Sequence, residues 1–421
     1  MGADRYDYKE TKESLYTITK NYKKTKLDDN FQRRGGTERN SGWTKDNSVR
    51  YVENIIDGFV SNKIMLAEVE GCLKFAKDEG DAESIKYFSN IAEEGYEYVS
   101  IDGNNSSSTI NAYLNDQLST YHSKNASLRG RGKKKLLFSE LTESQQDDIK
   151  YSEKLTYYVF RKIGIIDMCA LFRAENTSTK LNDQEWRQAH WSDLSKFIRE
   201  KANTEDVLAI FQNLLGYGKS SDIWDKRKHE EMIAQFSLRV VNEGKQNTLK
   251  KELNTFYELT ESIPTKDVKV VNAVLDIVSK MAETVLKRNA TLSAADFFAL
   301  LGIVQYVADD RRDIRIDDTR EFLNWFLQSL HQMKEDAKKV LEEDQEDNSY
   351  TFWAARVNKH KNYNKILNAF RDKLAVSEND LLSNGTLKRT RSSKDSFNRE
   401  QGISLFDLQE GKLRDGSDID F

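Results

Sequence analysis

The chain has 421 residues, of which 38% are hydrophobic and 32% charged, and its formal net charge is −4. That balance gives a soluble protein with enough apolar residues for a core and length for two or three domains. It excludes a global basic field, so contact with nucleic acid must rest on local patches. The two cysteines, Cys72 and Cys169, lie far apart, which argues against a disulfide scaffold and fits a reducing, cytoplasmic setting. The five histidines are scattered, so no zinc-type spacing is visible. The amino terminus lacks the apolar stretch of a secretory signal, and no apolar run reaches membrane-spanning length.

In chain order, residues 1–24 are polar and lysine-rich and read as a flexible arm. Val52, Ile55, Ile56 and Phe59 recur at helical spacing, which predicts a helix over 48–60. Lys63–Val69 reads as a strand, 70–95 as charged helix, Tyr96–Ile101 as a second strand and Thr109–Leu118 as a further helix. Leu136-Leu137-Phe138 and Thr156–Phe160 are short strand candidates, and Ile163–Glu175 reads as a helix. Beyond about 190 the periodicity is helical. Asp267–Lys287 carries a broad apolar face, and Ser293 with Asp296 has the spacing of a capping box. Phe297–Val307 is apolar nearly all round and is predicted to be central, with further helices over Glu321–Leu341 and Trp353–Leu374. The expected fold class is α+β: a mixed α/β domain over 25–190, an all-α domain over 191–375, and a polar tail over 376–421.

Two short motifs flank the 63–69 strand. The first is Phe31-Gln32-Arg33-Arg34, followed by Trp43. Arginines in a glycine-rich loop are usually solvated, yet two guanidinium groups with Arg39 nearby suit bidentate phosphate contacts. Trp43 reads as a core anchor rather than a stacking platform. The second motif is Ile101-Asp102-Gly103-Asn104-Asn105, followed by a Ser/Thr run. Taken alone, it reads first as a strand-to-helix turn capped by Asn105 or Ser106. The sharper reading exposes amide groups at a helix N-terminus, where a phosphate can bind. Asp102 would then orient a water, a metal ion or an arginine. Gly216-Tyr217-Gly218-Lys219-Ser220 resembles the end of a phosphate-binding loop, but the earlier glycine is replaced by Asn213 and no strand precedes it. Arg129, Arg131, Lys133, Lys134 and Lys135 put five charges within seven residues. With Lys388–Lys394 they read equally as solvated connections or as a grip on a nucleic-acid backbone. Trp186 and Trp191 read as core residues.

The order of these pieces resembles the N-terminal domain of GmrSD-type restriction enzymes, which has a ParB/sulfiredoxin-like fold. The resemblance rests on Phe31-Gln32-Arg33, Trp43, Ile55-Ile56-Asp57-Gly58 and the 101–109 stretch. It continues in Leu171-Phe172-Arg173-Ala174-Glu175-Asn176 and in Leu181 to Arg187, and it covers about residues 25–190. It implies a module that binds and hydrolyses a nucleoside triphosphate with magnesium and serves DNA cleavage in phage defence. On that resemblance Arg33 and Asp102 would be catalytic. Gln32, Arg34, Gly103, Asn104, Asn105 and Ser106 would hold the nucleotide, with Arg173 and Asn176 near them. DNA, and an oligomer or a partner nuclease subunit, are the partners implied.

Three positions depart from the family pattern. Asn104 and Asn105 stand for its two glutamines, and Ser106 stands for its arginine, so a fixed cationic fork is missing. That leaves two expectations: a hydrolase, or a DNA- or protein-binding module that keeps the fold without turnover. Ser396 to Phe421 is similar to the lead-in to an HNH nuclease domain, whose Asp-His would follow, so the resemblance implies a short or truncated relative.

Overall fold

The computed structural model describes residues 6–28, 43–59, 63–121, 135–176, 181–218, 222–285, 291–309, 314–342 and 349–390. In chain order these form β1 Tyr8–Ser14, α1 Leu15–Tyr22, β2 Thr25–Lys26, α2 Lys45–Ile56, β3 Lys63–Glu68, α3 Val69–Glu79, α4 Ala82–Glu93, β4 Tyr98–Asp102 and α5 Asn104–Leu114. There follow α6 Glu143–Asp147, β5 Lys154–Phe160, α7 Ile165–Glu175, α8 Asp183–Gln188, α9 Asp193–Ala202, α10 Glu205–Asn213, α11 Asp222–Asp225, α12 Lys228–Val241 and α13 Lys250–Leu259. The last are α14 Thr265–Thr284, α15 Ala294–Val307, β6 Ile314–Ile316, α16 Thr319–Glu342, α17 Tyr350–Ala354, α18 His360–Ser383 and β7 Leu387–Arg389. The fold is α+β, a mixed five-stranded sheet with helices followed by a largely helical region. One compact unit comprises Met1–Arg199, Ser220–Glu231 and Tyr257–Ser262, and a second comprises Glu200–Lys219, Met232–Phe256 and Ile263–Phe421. No helix among the described residues is long and apolar enough to cross a membrane.

In the first unit the sheet order is β1-β5-β3-β4-β2. β5 runs parallel to β3, β4 antiparallel to β3, and β2 parallel to β4. Because successive side chains alternate across a sheet, β3 serves two cores. Ile64 and Leu66 join Val52, Ile55, Ile110, Tyr113, Leu155 and Tyr157 on one face. Met65 and Ala67 join Phe88, Val99, Ile101, Phe160, Met168 and Phe172 on the other. Helices therefore cover both faces.

The flexible arm expected over residues 1–24 is corrected by β1 and α1. β1 pairs antiparallel with β5 along its whole length, Tyr8 opposite Phe160 to Ser14 opposite Lys154. An edge strand takes its stability from ladder hydrogen bonds and can keep polar side chains, so its composition carries little signal. α1 starts at Ser14, whose hydroxyl accepts the Thr17 amide, and buries Leu15 and Ile18. The charged 70–95 stretch is two helices. Gly80 ends α3 in the left-handed region, and Asp81 caps α4 by accepting the Ser84 amide. The strand expected at Leu136–Phe138 reduces to one bridge, Leu136 with Thr120, followed by a short turn over Phe138–Glu140. Both cysteines are free and buried, and burial pushes the Cys72 thiol up to about 12.

In the second unit α15 is buried on nearly every side, as its apolar composition predicts. The expected capping box is present: Ser293 Oγ accepts the Asp296 amide and the Asp296 carboxylate accepts the Ser293 amide. The same carboxylate, 1% exposed, also accepts from Lys334 Nζ at 2.8 Å and the Tyr350 hydroxyl at 2.5 Å. It thereby joins the start of α15 to α16 and α17. A short ribbon, β6 with β7, interrupts the helical pattern and is anchored by buried Ile314 and Leu387. Three-residue strands are too short to show a period.

Burial pushes the Asp296 carboxyl up, but its hydrogen bonds from Lys334, Tyr350 and Ser293 prevail and hold it below the ordinary 3.8. A carboxyl lowered on folding stabilises fully above the unfolded value and loses that contribution as pH falls through the folded value. Asp296→Ala should therefore cost about 1–3 kcal/mol near neutral pH and less in acid, because it strands the buried Tyr350 hydroxyl and removes the partner of Lys334. Urea unfolding of the full chain at several pH values measures both.

Candidate functional site

The turn between β4 and α5 is built from three constraints. β4 pairs with β3 through Leu66 opposite Ser100 and Met65 opposite Asp102, so a bulge at Ile101 shifts the register just before the turn. Gly103 then takes φ +98°, a left-handed conformation. A side chain there would also press on β3: a Cβ would lie 3.1 Å from Ile64 Cγ1 and 3.2 Å from its Cα. Only glycine meets both demands. α5 begins at once, five residues earlier than the apolar periodicity indicates, because its first turn is Asn-Asn-Ser-Ser rather than apolar.

No side chain caps α5. The Ser107 amide reaches the Gly103 carbonyl at 2.8 Å, so the amides of Asn104, Asn105 and Ser106 form the first turn, without partners inside the helix. Asn104 is 6% exposed, yet both its Oδ1 and its Nδ2 are buried without a hydrogen-bond partner. Asn105 Oδ1 is likewise buried and unpartnered. A buried amide ordinarily finds partners, since stranding it costs about 1–3 kcal/mol per group. The expected cap by Asn105 or Ser106 is therefore not made, and Gly103 holds the cap position.

Ser106, 5% exposed, faces the Tyr51 hydroxyl of α2, and burial pushes Tyr51 up to about 12. Trp43 packs edge-on against Tyr51 with ring centroids 4.9 Å apart. The ring is an anchor, as its sequence context indicates. Thr109 donates to Ser48, so α2 and α5 also share a hydroxyl contact. Ser106 and Tyr51 are both buried, so a longer side chain at 106 would meet packed neighbours.

β3 contributes a residue that sequence reasoning missed. Lys63 immediately precedes Ile64, which touches Gly103, and its ammonium pairs with Glu175 at the end of α7, 2.7 Å away. A single lysine at a strand start leaves no pattern to find. Arg173 donates to the Ala189 carbonyl, and Asn176 Nδ2 donates to the Phe172 carbonyl at 2.9 Å. Glu175 thus makes the α7 contact with β3, while Arg173 and Asn176 bind backbone elsewhere. Burial and Arg173 pull His190 down to about 4. In the Leu181–Arg187 stretch, Glu185 completes a capping box with Asn182, and Arg187 is buried against Gln184 and Glu231. Trp186 packs on His190 and Trp191 on Tyr87, in keeping with core roles.

Gln32, Arg33, Arg34 and Arg39 lie outside the described residues, as do Arg129, Arg131, Lys133 and Lys134. Lys135 sits over the Tyr121 ring at 5.4 Å, beside the Thr120–Leu136 bridge that closes the base of this basic stretch. Lys388 and Arg389 are exposed on β7, and Arg391–Lys394 lie outside the described residues. Among the described residues, no group of three or more His, Cys, Asp and Glu side chains could hold a metal ion. Comparisons with protein-family models, curated proteins and solved structures found no match.

Gly103→Ala should destabilise the first unit by about 2 kcal/mol, from left-handed strain plus the clash with Ile64. Gly58→Ala is the control: its φ is +74° but nothing lies within 4 Å of the added carbon. The cost there should be about 1 kcal/mol, from strain alone. Paired denaturant titrations that give equal losses would remove Ile64 from the account.

Proposed function

We propose that the first unit binds a nucleoside triphosphate, with its phosphates at the N-terminus of α5. The observation that carries this reading is Asn104, a buried and unpartnered amide in a first helical turn whose backbone amides have no partner within the helix. Together they offer donors to phosphate oxygens, reinforced by the positive end of the helix dipole. Asparagine side chains give an acceptor as well as donors, which suits a nucleotide better than a bare anion. Arg33 and Arg34 would supply the positive charge that α5 lacks, and Gln32 a further polar contact. Magnesium arriving with the triphosphate needs few protein carboxylates, and Asp102 ends β4 at this turn.

The reading agrees with the resemblance to GmrSD-type, ParB/sulfiredoxin-like domains, which a mixed sheet with a strand-to-helix turn also suits. A second reading, binding without turnover, is favoured by Ser106, a buried hydroxyl where the family has an arginine. On either reading the basic stretch Arg129–Lys135 would contact DNA phosphates, with Lys388 and Arg389 as a second patch. Affinity would then fall steeply with salt and show little sequence preference.

Equilibrium binding of ATP, GTP, CTP and UTP with magnesium tests the nucleotide site. Asn104→Leu and Arg33→Ala should each weaken binding about tenfold or more, in line with the loss of a hydrogen bond to a charged group. Failure of all four nucleotides to bind would remove the reading. Hydrolysis, measured with and without DNA, then separates an enzyme from a binding module.

A further inference from the structure

The second unit contains a cleft of about 560 Å³ between α12, α15 and α18. On α15 it is lined by Gly302, Gln305 and Tyr306, which share one helical face. Gln305 and Tyr306 are also where the otherwise buried α15 comes partly into the open. α18 contributes Tyr363, Asn364, Asn368 and Arg371, and the end of α12 contributes Arg239.

Arg239 is 4% exposed, and no carboxylate among the described residues pairs with it. Its guanidinium lies between two rings, 4.1 Å from the Phe298 centroid and 4.6 Å from that of Tyr363. One terminal nitrogen donates to Thr248 Oγ1 and the Val357 carbonyl, while the other, Nη1, is buried without a partner. Burial pulls Arg239 down to about 10, the sign of a cation held without enough compensation. Arg371 repeats the pattern. It stacks on Tyr306 at 4.4 Å, its Nη1 reaches Asn368 Oδ1 at 3.4 Å, and its Nε is buried and unpartnered. Gly302 makes room for this arrangement, because a Cβ there would fall 2.5 Å from the Tyr363 hydroxyl.

Two arginines on one cleft, each with an unused buried N–H, mark a place for an oxyanion. The other charges define what accompanies it. Lys245 is paired with Glu243, so it adds no free positive charge. Asp309 also lines the cleft. Gln305 and Asn368 present amides suited to hydroxyl or amino groups. We propose that this cleft binds a small organic oxyanion, a carboxylate or phosphate monoester bearing hydroxyl or amino groups, with its anionic end on Arg239 and Arg371.

Thermal unfolding of the full chain tests this with lactate, glycerol 3-phosphate and glycerol at matched ionic strength. One or both anions should raise Tm by about 2–4 °C at concentrations tenfold above Kd, and glycerol should not. Whichever anion acts identifies the head group. Arg371→Gln should abolish the rise. Gln305→Leu, which removes no charge, should weaken binding and serves if Arg371→Gln unfolds the chain. Asn105→Asp, which makes the N-terminus of α5 repel anions, should leave the rise intact. The proposal is overturned if neither anion stabilises, if the rise survives both cleft substitutions, or if Asn105→Asp removes it.

Discussion

β3 has water on neither face, and this constraint organises the first unit. Its four central residues, Ile64 to Ala67, are all buried, two in each core. A strand covered on both sides must satisfy its backbone through neighbouring strands, and β5 and β4 do so in opposite directions. The β4–α5 turn inherits its form from this. For α5 to leave β4 and lie on the Ile64 face, the chain must reverse against β3 with no side chain in the way. Gly103 is the residue that allows it, and the bulge at Ile101 sets the direction in which the chain departs.

The same requirement explains why an uncapped helix start is tolerated there. A capping side chain at position 103 would need a Cβ, and Ile64 excludes one. The first turn of α5 is therefore short of partners by construction. In α15 and α2 the cap residue itself supplies the acceptor, Ser293 and Thr44, which Gly103 cannot do. Instead Ser106 turns to Tyr51, Ser108 to the Asn105 carbonyl, and Asn104 is buried with nothing to bind. Ser108 and Thr109 thus spend their hydrogen bonds away from the helix start.

Elements with a strong period were legible from sequence: α2, β3, β5, α7, α14 and α15 lie where spacing puts them. The elements that were not legible take their stability from partners rather than from composition. β1 is polar and holds through β5, β6 and β7 are three residues each, and α5 opens with six polar residues. At the candidate site the motif Asp102 to Ser106 could be read, because left-handed glycine and turn-forming asparagine have distinct chemistry. What the motif could not show was burial. Ser106 reads as a vacancy for an arginine in sequence and as a close contact with Tyr51 in structure. Arg239 carried no motif at all, since its setting is made by Phe298 and Tyr363, which are far away in the chain.

The two units treat buried arginine differently, and the contrast bears on both proposed sites. In the first unit Arg187 faces Glu231 and Arg227 faces Glu230, at 3.3 and 3.0 Å. Such pairs are electrically closed and read as structural, whatever motif contains them. Arg239 is flanked by rings and neutral acceptors, which leaves its charge available to an incoming anion. The turn at α5 is the reverse case: it has donors, while Lys63 on the neighbouring strand is committed to Glu175. A triphosphate held there needs charge from elsewhere in the chain. Arg33 lies ten positions before Trp43, a length that spans at most about 35 Å. Trp43 is seated on Tyr51, and Tyr51 faces Ser106 of α5. On the proposed reading, that length is what would let Arg33 reach phosphates at the start of α5.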